Sequence, residues 1–449
     1  MKSKISPAVL RGSALALAAA LALTACGGGD GNDAGAAPEE VSADDVQAAL
    51  DEGGSITIWS WEPTLDEVVE GFEAKHPNVD VELVNAGTGS DHYTALQNAI
   101  AAGSGVPDIA QLEYFSLPQF ALADSVKDLS GYGAGDLEDT YNPGPWNSVQ
   151  ANGGIYGLPM DSGPMALFYN MEIFDKHGVE VPTTWDEYVE AARALHAADP
   201  NVYIANDTGE AGLSTSLIWQ AGGQPYTVDG TDVTVNFSDE GSTKFTETWQ
   251  QLLDEDLLAP ITSWGDEWYQ GMANGTIATL ATGAWMPANF TSGVPTAAGK
   301  WRAAPLPQWE EGGTASAENG GSALSITSAS EKGALAYAFL EYANVGDGVQ
   351  TRVDNGAFPA TKATLESEEF LSKEFEYFGG QKANEIFAES AKNVPEGWSY
   401  LPFQAYANSI YNDTAGQAYV SDTPLKDGLK AWQDASIKYG SEQGFTVSD

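Results

Sequence analysis

The sequence has very few residues of the kinds that build disulfides and metal sites. It contains one cysteine, Cys26, and four histidines among its 449 residues. A single cysteine excludes a disulfide within the chain, and the histidines, at positions 76, 92, 177 and 196, lack the spacing of a metal-binding motif. We therefore expect no metal site and no cofactor.

Basic residues are also scarce. The chain has 19 Lys and Arg against 64 Asp and Glu, which gives a net charge of -45. A surface this acidic repels phosphate backbones, so the composition argues against nucleic-acid binding. Anionic substrates are disfavoured as well, because few cations are left to hold them.

Long apolar runs are confined to the N-terminus. Lys2, Lys4 and Arg11 precede a run of mostly Ala and Leu from Gly12 to Ala25. This run is too short for an ordinary membrane span but has the length of a signal-peptide core. We therefore interpret residues 1–25 as a signal peptide.

The end of that run carries a more specific signal. Residues 23–27 read LTACG and resemble a bacterial lipobox, in which the cysteine becomes the lipidated N-terminus. The alternative is an ordinary signal peptide with a chance cysteine. The lipobox reading predicts acylation of Cys26 and an anchor on the outer face of the cytoplasmic membrane. Residues 26–53 are then the lipidated cysteine and a flexible tether.

Strand and helix patterns alternate after the tether. A capping box, Thr64-x-x-Glu67, opens a helix with apolar residues at helical spacing. Three strands are predicted around it, at Ser55–Trp61, Val79–Leu83 and 107–112. A second helix is predicted from the spacing of Tyr93, Leu96 and Ile100. Strands joined by helices favour parallel pairing in an open α/β sheet.

Similar patterns continue along the chain. A second capping box, Thr184-x-x-Glu187, opens a helix whose apolar face includes Trp185 and Leu195. Further strands are predicted at Ala166–Tyr169, Thr276–Leu280 and Ser322–Thr327, and a further helix at Leu335–Tyr342.

Ligands of open α/β sheets lie beyond the carboxyl ends of the strands. Five candidates follow predicted strands: Trp61, Glu62, Glu113, Tyr114 and Trp285. Asp161 and Ser162 lie between Pro159 and the next strand, and Gly320 and Gly321 come just before the Ser322 strand, with backbone N–H groups available to a ligand. Aromatic rings stack on the apolar face of a sugar, and carboxylates accept hydrogen bonds from its hydroxyls, so this set suits a carbohydrate. For each residue the plain alternative stays open: core packing for the aromatics, a solvated surface for the acids and an ordinary turn for the glycines.

Several stretches, in this order, resemble the extracellular solute-binding proteins of bacterial ABC importers, in the carbohydrate-binding group related to maltose-binding protein. Besides the lipobox they are ITIWSWEPTLDEVVEGFEAKHPNVDVELV, GVPDIAQLEYFSLPQFA, GIYGLPMDSGPMALFYNMEIFDKHGVEVPTTWDEYVEAARAL and NGGSALSITSASEKGALAYAFLEYA, which runs on to NGAFPATKATLES. The resemblance covers residues 54 to 440.

The resemblance implies an α/β, two-lobed periplasmic-binding-protein-like fold with a hinge and a ligand cleft between the lobes. Matching segments place lobe one at 54–163 plus 312–368 and lobe two at 164–311 plus 369–449. It also implies a monomer that binds a sugar or oligosaccharide and delivers it to ABC permease subunits with a cytoplasmic ATPase, and no enzymatic activity.

The resemblance also adds ligand contacts. Trp285 in GAWMPANF matches a family tryptophan that stacks on sugar, and Trp398 in EGWSYLPF falls near another. In the family, a side-chain carboxylate that contacts the ligand stands where this chain has Gly163. Either Asp161 or Ser162 takes over that contact, or it is absent.

Two other classes of function remain as alternatives. A receptor of the same architecture for a polyamine or a peptide would suit the acidic composition. A secreted glycoside hydrolase would use a similar cleft with two suitably spaced carboxyl groups.

Overall fold

The computed structural model describes residues 39–449. Pro38–Asp449 forms one unit by its internal contacts. The predicted signal peptide, Cys26 and the first part of the predicted tether lie outside the described residues. Within the described part, no helix is both long enough and apolar enough to cross a bilayer.

The structure is mixed α/β. The strands are β1 Gly54–Trp59, β2 Val79–Val84, β3 Ile109–Glu113, β4 Gln150–Ala151, β5 Gly154–Ile155, β6 Leu158–Pro159, β7 Met165–Asn170, β8 Ala205–Asn206, β9 Tyr226–Asp229, β10 Asp232–Val235, β11 Leu258–Ala259, β12 Thr279–Gly283, β13 Trp301–Ala304, β14 Ser322–Ile326 and β15 Thr446–Ser448. The helices are α1 Ala43–Glu52, α2 Leu65–Lys75, α3 Ser90–Ala102, α4 Leu117–Leu122, α5 Pro143–Ser148, α6 Met171–His177, α7 Trp185–Ala198, α8 Ala211–Gln220, α9 Glu240–Asp254, α10 Asp266–Asn274, α11 Met286–Gly293, α12 Gly333–Asn344, α13 Asp347–Asp354, α14 Lys362–Leu365, α15 Glu368–Ser372, α16 Ala383–Lys392, α17 Gln404–Ser409 and α18 Leu425–Glu442.

A five-stranded sheet in the order β2-β1-β3-β14-β6 organises the first core. β1 pairs in parallel with both β2 and β3, which confirms the prediction from alternating strands and helices. β14 enters from much later in the chain and pairs antiparallel with β3. The carboxyl ends of β1 and β3 and the amino end of β14 therefore share one edge of the sheet.

The first core packs helices against this sheet. The four apolar residues predicted for the face of α2 (Leu65, Val68, Val69 and Phe72) are all buried there. The predicted capping box at Thr64 is wrong. Thr64 has helical backbone angles, and its hydroxyl donates to Glu62 Oε1 (2.8 Å) instead of capping α2.

Helix α1 corrects the predicted tether. Ser42 forms a capping box with Asp45, and the apolar face of α1, with Val46 and Leu50, packs on the first core. Residues 43–52 are therefore helical and not a flexible linker. The Ser-x-x-Asp pattern at Ser42 is the sequence feature that indicates the start of this helix.

A three-stranded sheet in the order β12-β7-β13 separates two further cores. Successive β7 residues face opposite sides, so Met165 and Leu167 lie in the second core and Ala166 and Phe168 in the third. The capping box predicted at Thr184 is confirmed at the start of α7, whose apolar face belongs to the second core.

Three parts of the chain link these cores. Residues 163–165 run antiparallel to 317–319, through the Asn319 N–H to Gly163 O (2.8 Å) and Met165 N–H to Ala317 O (2.9 Å) hydrogen bonds. A third connection follows α12, because Ala343 lies in the first core and Val349 in the third. The predicted lobe boundaries (54–163 plus 312–368, and 164–311 plus 369–449) stay a prediction.

Candidate functional site

Gln111 ties three strands together at the shared edge of the first sheet. Its Oε1 accepts from the Ser60 hydroxyl (2.6 Å) and from the backbone N–H of Trp61 (3.1 Å). Its Nε2 donates to Ser322 Oγ (3.2 Å) at the start of β14. The candidates that follow β1 and β3 and precede β14 are therefore brought to one edge.

Trp61 and Glu62 are both half-buried at this edge. The Trp61 ring meets the buried His92 edge-on, with centroids 4.9 Å apart, while Trp59 lies further from it at 6.3 Å. Burial lowers the pKa of His92 to about 4, so this ring is neutral and packs as an aromatic surface. The Trp61 ring thus packs against a buried, neutral aromatic neighbour.

Two carboxyl groups stand beside Trp61 and Glu62 at the edge. The Tyr93 hydroxyl donates to Glu113 Oε2 (2.7 Å), and the Ser322 N–H donates to Asp161 Oδ1 (2.6 Å). Burial raises the pKa of Asp161 to about 7; the positive charge of Arg352 opposes this rise, and Glu62 and Glu113 add to it. Burial also raises the pKa of Glu113. The influence of Glu62 and Glu113 on Asp161 groups these three acids into one cluster at the edge.

Tyr114 and Arg352 support that cluster from the interior. Tyr114 is buried, and its hydroxyl donates to the backbone oxygen of Asp161 (2.6 Å). Arg352 is buried as well and donates through Nη1 to Met160 O, and no carboxylate lies within ion-pair distance of it among the described residues. Arg352 therefore acts on Asp161 only through space.

Glu318 lies at the crossing between the cores and was missed by sequence reasoning. Both of its carboxylate oxygens accept from the Ser162 hydroxyl (3.0 Å each), and Oε2 accepts from the Gly163 N–H (2.6 Å). A side chain at Gly163 would meet Asn319 O at 2.3 Å, so this position has no room for one. A carboxylate from the opposite crossing strand lies beside Gly163 instead.

Burial raises the pKa of Glu318 to about 7, and its hydrogen bonds from Gly163 and Ser162 oppose that rise. The Ser162 side chain has no exposed surface, so its hydroxyl serves Glu318 in this conformation.

Trp285 lies on the other side of the crossing, directly after β12. Its Nε1 donates to Asn319 O (2.7 Å), which fixes the indole by its edge. Gly320 and Gly321 have φ values of +83° and +101°, a backbone region that glycine adopts readily. A Cβ would come within 3.1 Å of Trp285 Nε1 at Gly320, and within 2.5 Å of the Tyr114 ring at Gly321. These glycines let the chain pass between the two aromatic rings.

Trp398 lines a cavity of about 690 Å³ between elements of the first and second cores. Its ring stacks on Trp219, with centroids 4.9 Å apart and planes 8° apart. The opposite wall comes from α4, α5, β4 and the turn after β4, and it includes Asn147 and Gln150. The cavity thus has aromatic side chains on one wall and amide side chains on the other.

Tyr400 connects this cavity to the acidic cluster and was also missed. It lines the cavity and packs against the first core, although it follows Trp398 in the chain. Burial raises the pKa of its hydroxyl, and the negative charges of Glu318 and Glu113 add to that rise.

The ten predicted residues thus lie along the first-sheet edge, the crossing strands and the cavity. Their role as ligand contacts stays a prediction.

The site offers no grouping typical of a metal centre. Among the residues that the structure describes, no set of three or more His, Asp or Glu side chains is arranged to hold a metal ion. The chemistry available is stacking on indoles and hydrogen bonding to carboxylates and amides.

Comparison with known proteins assigns the family. Residues 59–344 match the family model described as "Bacterial extracellular solute-binding protein". The chain belongs to this family. Its members act outside the cytoplasm as binding proteins, in agreement with the resemblance found in the sequence.

Relatives of known structure share the whole fold. A binding protein associated with an ABC transporter of B. animalis subsp. lactis, solved with β-1,6-galactobiose, is 47% identical, with a TM-score of 0.82 over 88% of this chain and 99% of that one. The galacto-N-biose/lacto-N-biose I-binding protein of Bifidobacterium longum is 28% identical, with a TM-score of 0.78 over 88% and 99%. The two-lobed α/β fold is thereby confirmed.

A curated relative points the same way. The lactose-binding protein of Rhizobium radiobacter is 28% identical over 85% of this chain and 92% of its own length.

Proposed function

We propose that this protein is the extracellular receptor of an ABC importer and captures a neutral, galactose-containing disaccharide or short oligosaccharide. The observation that carries the proposal is the 47% identity, over 88% of the chain, to a binding protein solved with β-1,6-galactobiose. The relatives named for lacto-N-biose and lactose add support, because both of those sugars also contain galactose.

The chemistry of the site disfavours an anionic ligand and suits the hydroxyls of a sugar. Glu62, Glu113 and Asp161 form one acidic cluster, and Arg352 is the cation that acts on it from the interior. A sugar hydroxyl donates a hydrogen bond to a carboxylate without charge repulsion, whereas the carboxylates repel an anionic ligand. Trp285 and Trp398 supply the aromatic faces on which a sugar ring stacks.

The receptor passes its sugar to permease subunits that a cytoplasmic ATPase powers. It works as a monomer, held on the outer face of the cytoplasmic membrane by the acylated Cys26. The two crossing segments at 163–165 and 317–319 act as part of a hinge that closes the cleft on the ligand. The protein binds its sugar without altering it and is not an enzyme.

A thermal-shift screen of residues 39–449 tests the proposal. The panel contains β-1,6-galactobiose, lactose, lacto-N-biose, an arabinotriose, spermidine and a tripeptide, and the sugars are recovered afterwards by chromatography. A ligand that binds only the folded state raises the melting temperature by mass action. We expect a shift with a galactose-containing sugar, recovered intact.

Two other outcomes would contradict the proposal. A shift with spermidine or the tripeptide alone would keep the fold and overturn the sugar assignment. Loss of the sugar on incubation would make the protein a hydrolase, with two of the clustered carboxyl groups as acid and nucleophile or base.

A further inference from the structure

Four asparagines of this chain are followed directly by glycine, at positions 152, 274, 319 and 355. Such a pair can lose ammonia, because glycine has no side chain to shield its backbone nitrogen from the amide carbon of the asparagine. The reaction needs a free side-chain amide and a free glycine N–H. The structure meets these two requirements unequally at the four positions.

Asn152 and Gly153 form the exposed turn between β4 and β5, with φ values of +49° and +81°. Neither the Asn152 side-chain amide nor the Gly153 N–H has a hydrogen-bond partner within the described part of the chain. A Cβ at Gly153 would have no neighbour within 4 Å, so the space around its backbone is open. Both reacting groups are therefore free at this turn.

The hairpin around this turn is held weakly. β4 and β5 are two residues long each and form a two-stranded sheet of their own. An isolated two-stranded hairpin is marginally stable in water. The turn can therefore open without unfolding the first core, which gives the backbone the freedom that ring closure requires.

The side-chain amides of Asn319 and Asn274 are engaged. Asn319 Oδ1 accepts from the Thr282 hydroxyl (3.2 Å), and its Nδ2 donates to Ser216 Oγ (3.2 Å). Asn274 Oδ1 accepts from the Thr276 N–H (2.9 Å), which directs its side chain away from the glycine nitrogen.

At the fourth pair, both reacting groups are engaged. Asn355 Nδ2 donates to Glu67 Oε2, and the Gly356 N–H donates to Val353 O (3.1 Å). The same dipeptide therefore occurs once with both groups free and three times with at least one of them held.

We propose that Asn152 is a site of spontaneous deamidation and the fastest-reacting of the four Asn-Gly pairs. The Gly153 nitrogen loses its proton to hydroxide and attacks Asn152 Cγ. The Cγ–Nδ2 bond breaks, and ammonia leaves with a proton taken from water, which closes a succinimide ring. Water then adds to one of the two ring carbonyls and breaks its bond to the nitrogen, leaving aspartate or isoaspartate.

This modification changes the wall of the cavity. Asn152 and Gly153 line it on the side opposite Trp398. A neutral amide is replaced there by a carboxylate, and the isoaspartate form also lengthens the backbone of the turn by one carbon. The proposal goes beyond sugar binding and does not depend on it.

Peptide mapping by mass spectrometry measures the rates at all four pairs in one sample. The purified protein is incubated at pH 8 and 37 °C, folded in one series and unfolded in concentrated urea in the other. In the folded protein Asn152 should react about tenfold or more faster than each of the other three asparagines. In urea the four rates should agree to within about threefold, because each asparagine precedes glycine and the fold no longer protects any of them.

Asn152→Ser removes the reacting amide and provides a second readout. Ion-exchange chromatography of the aged wild type should resolve an acidic form that the aged variant lacks. Similar rates at all four positions of the folded protein, or a faster reaction at another position, would overturn the proposal. An equally large preference for Asn152 in urea would overturn it as well, since the neighbouring sequence and not the fold would then set the rate.

Discussion

Glu318 should make the free energy of unfolding depend on pH, by an amount that follows from its raised pKa. Burial raises its pKa from 4.5 to about 7. Each pKa unit is worth about 1.4 kcal/mol, so the ionised carboxylate costs folding up to about 3 kcal/mol. Glu318→Gln removes that titration and leaves an oxygen that accepts from Ser162 or Gly163.

The sign follows from linkage. Below pH 4.5 the carboxyl group is protonated in both the folded and the unfolded chain, so it imposes no penalty. As the pH rises, the group ionises first in the unfolded chain, and the penalty grows until the pH passes about 7. The stability of Glu318→Gln relative to wild type should therefore increase between pH 5 and pH 8.

Urea denaturation of both proteins at pH 5 and pH 8 measures this change. The difference in unfolding free energy between variant and wild type should be larger at pH 8, by about 1–3 kcal/mol. Glu82→Gln, at an exposed position in β2, is the matched control and should show no such change. A Glu318→Gln difference that is the same at both pH values would refute the reasoning.

Two further results are expected. Trp398→Ala should weaken binding of β-1,6-galactobiose about tenfold or more, because it removes the ring stacked on Trp219 in the cavity, whereas Trp398→Phe should retain most of the affinity; calorimetry decides, and equal affinities for all three proteins would remove Trp398 from the site. Cys26→Ser in the full chain should release the protein from the membrane fraction into the medium, and continued membrane fractionation would contradict the lipid anchor.

The local periodicity of apolar residues predicted much of the fold. The spacing of Leu65, Val68, Val69 and Phe72 predicted a buried helical face, and the alternation of strands and helices predicted the parallel pairing of β1 with β2 and β3. Both signals are short-range and depend on burial of apolar side chains, so they can be read without knowing the rest of the fold.

Long-range partners could not be predicted in this way. Glu318 is one of 64 acidic residues, and it stands out only because the crossing strands bring it to Ser162, 156 positions earlier. Tyr400 likewise follows an irregular segment and reaches the acidic cluster from the second core. At Thr64 a local pattern was misleading, because the residue has helical backbone angles and not the extended conformation of a capping residue.

Trp264 shows a related limit. It lies in a segment with neither helical nor strand spacing, so nothing in the sequence distinguishes it from the other tryptophans. Its exposure, its backbone strain and its contact with Trp285 appear only in three dimensions.

A crystal structure of residues 39–449 with β-1,6-galactobiose shows directly where the sugar binds. We expect density for an intact disaccharide between the first core and the other two, with one sugar ring on the face of Trp285 and carboxylate contacts from the cluster of Glu62, Glu113 and Asp161. A disaccharide bound on an outer surface, or a cleft that stays empty at saturating sugar, would contradict that expectation.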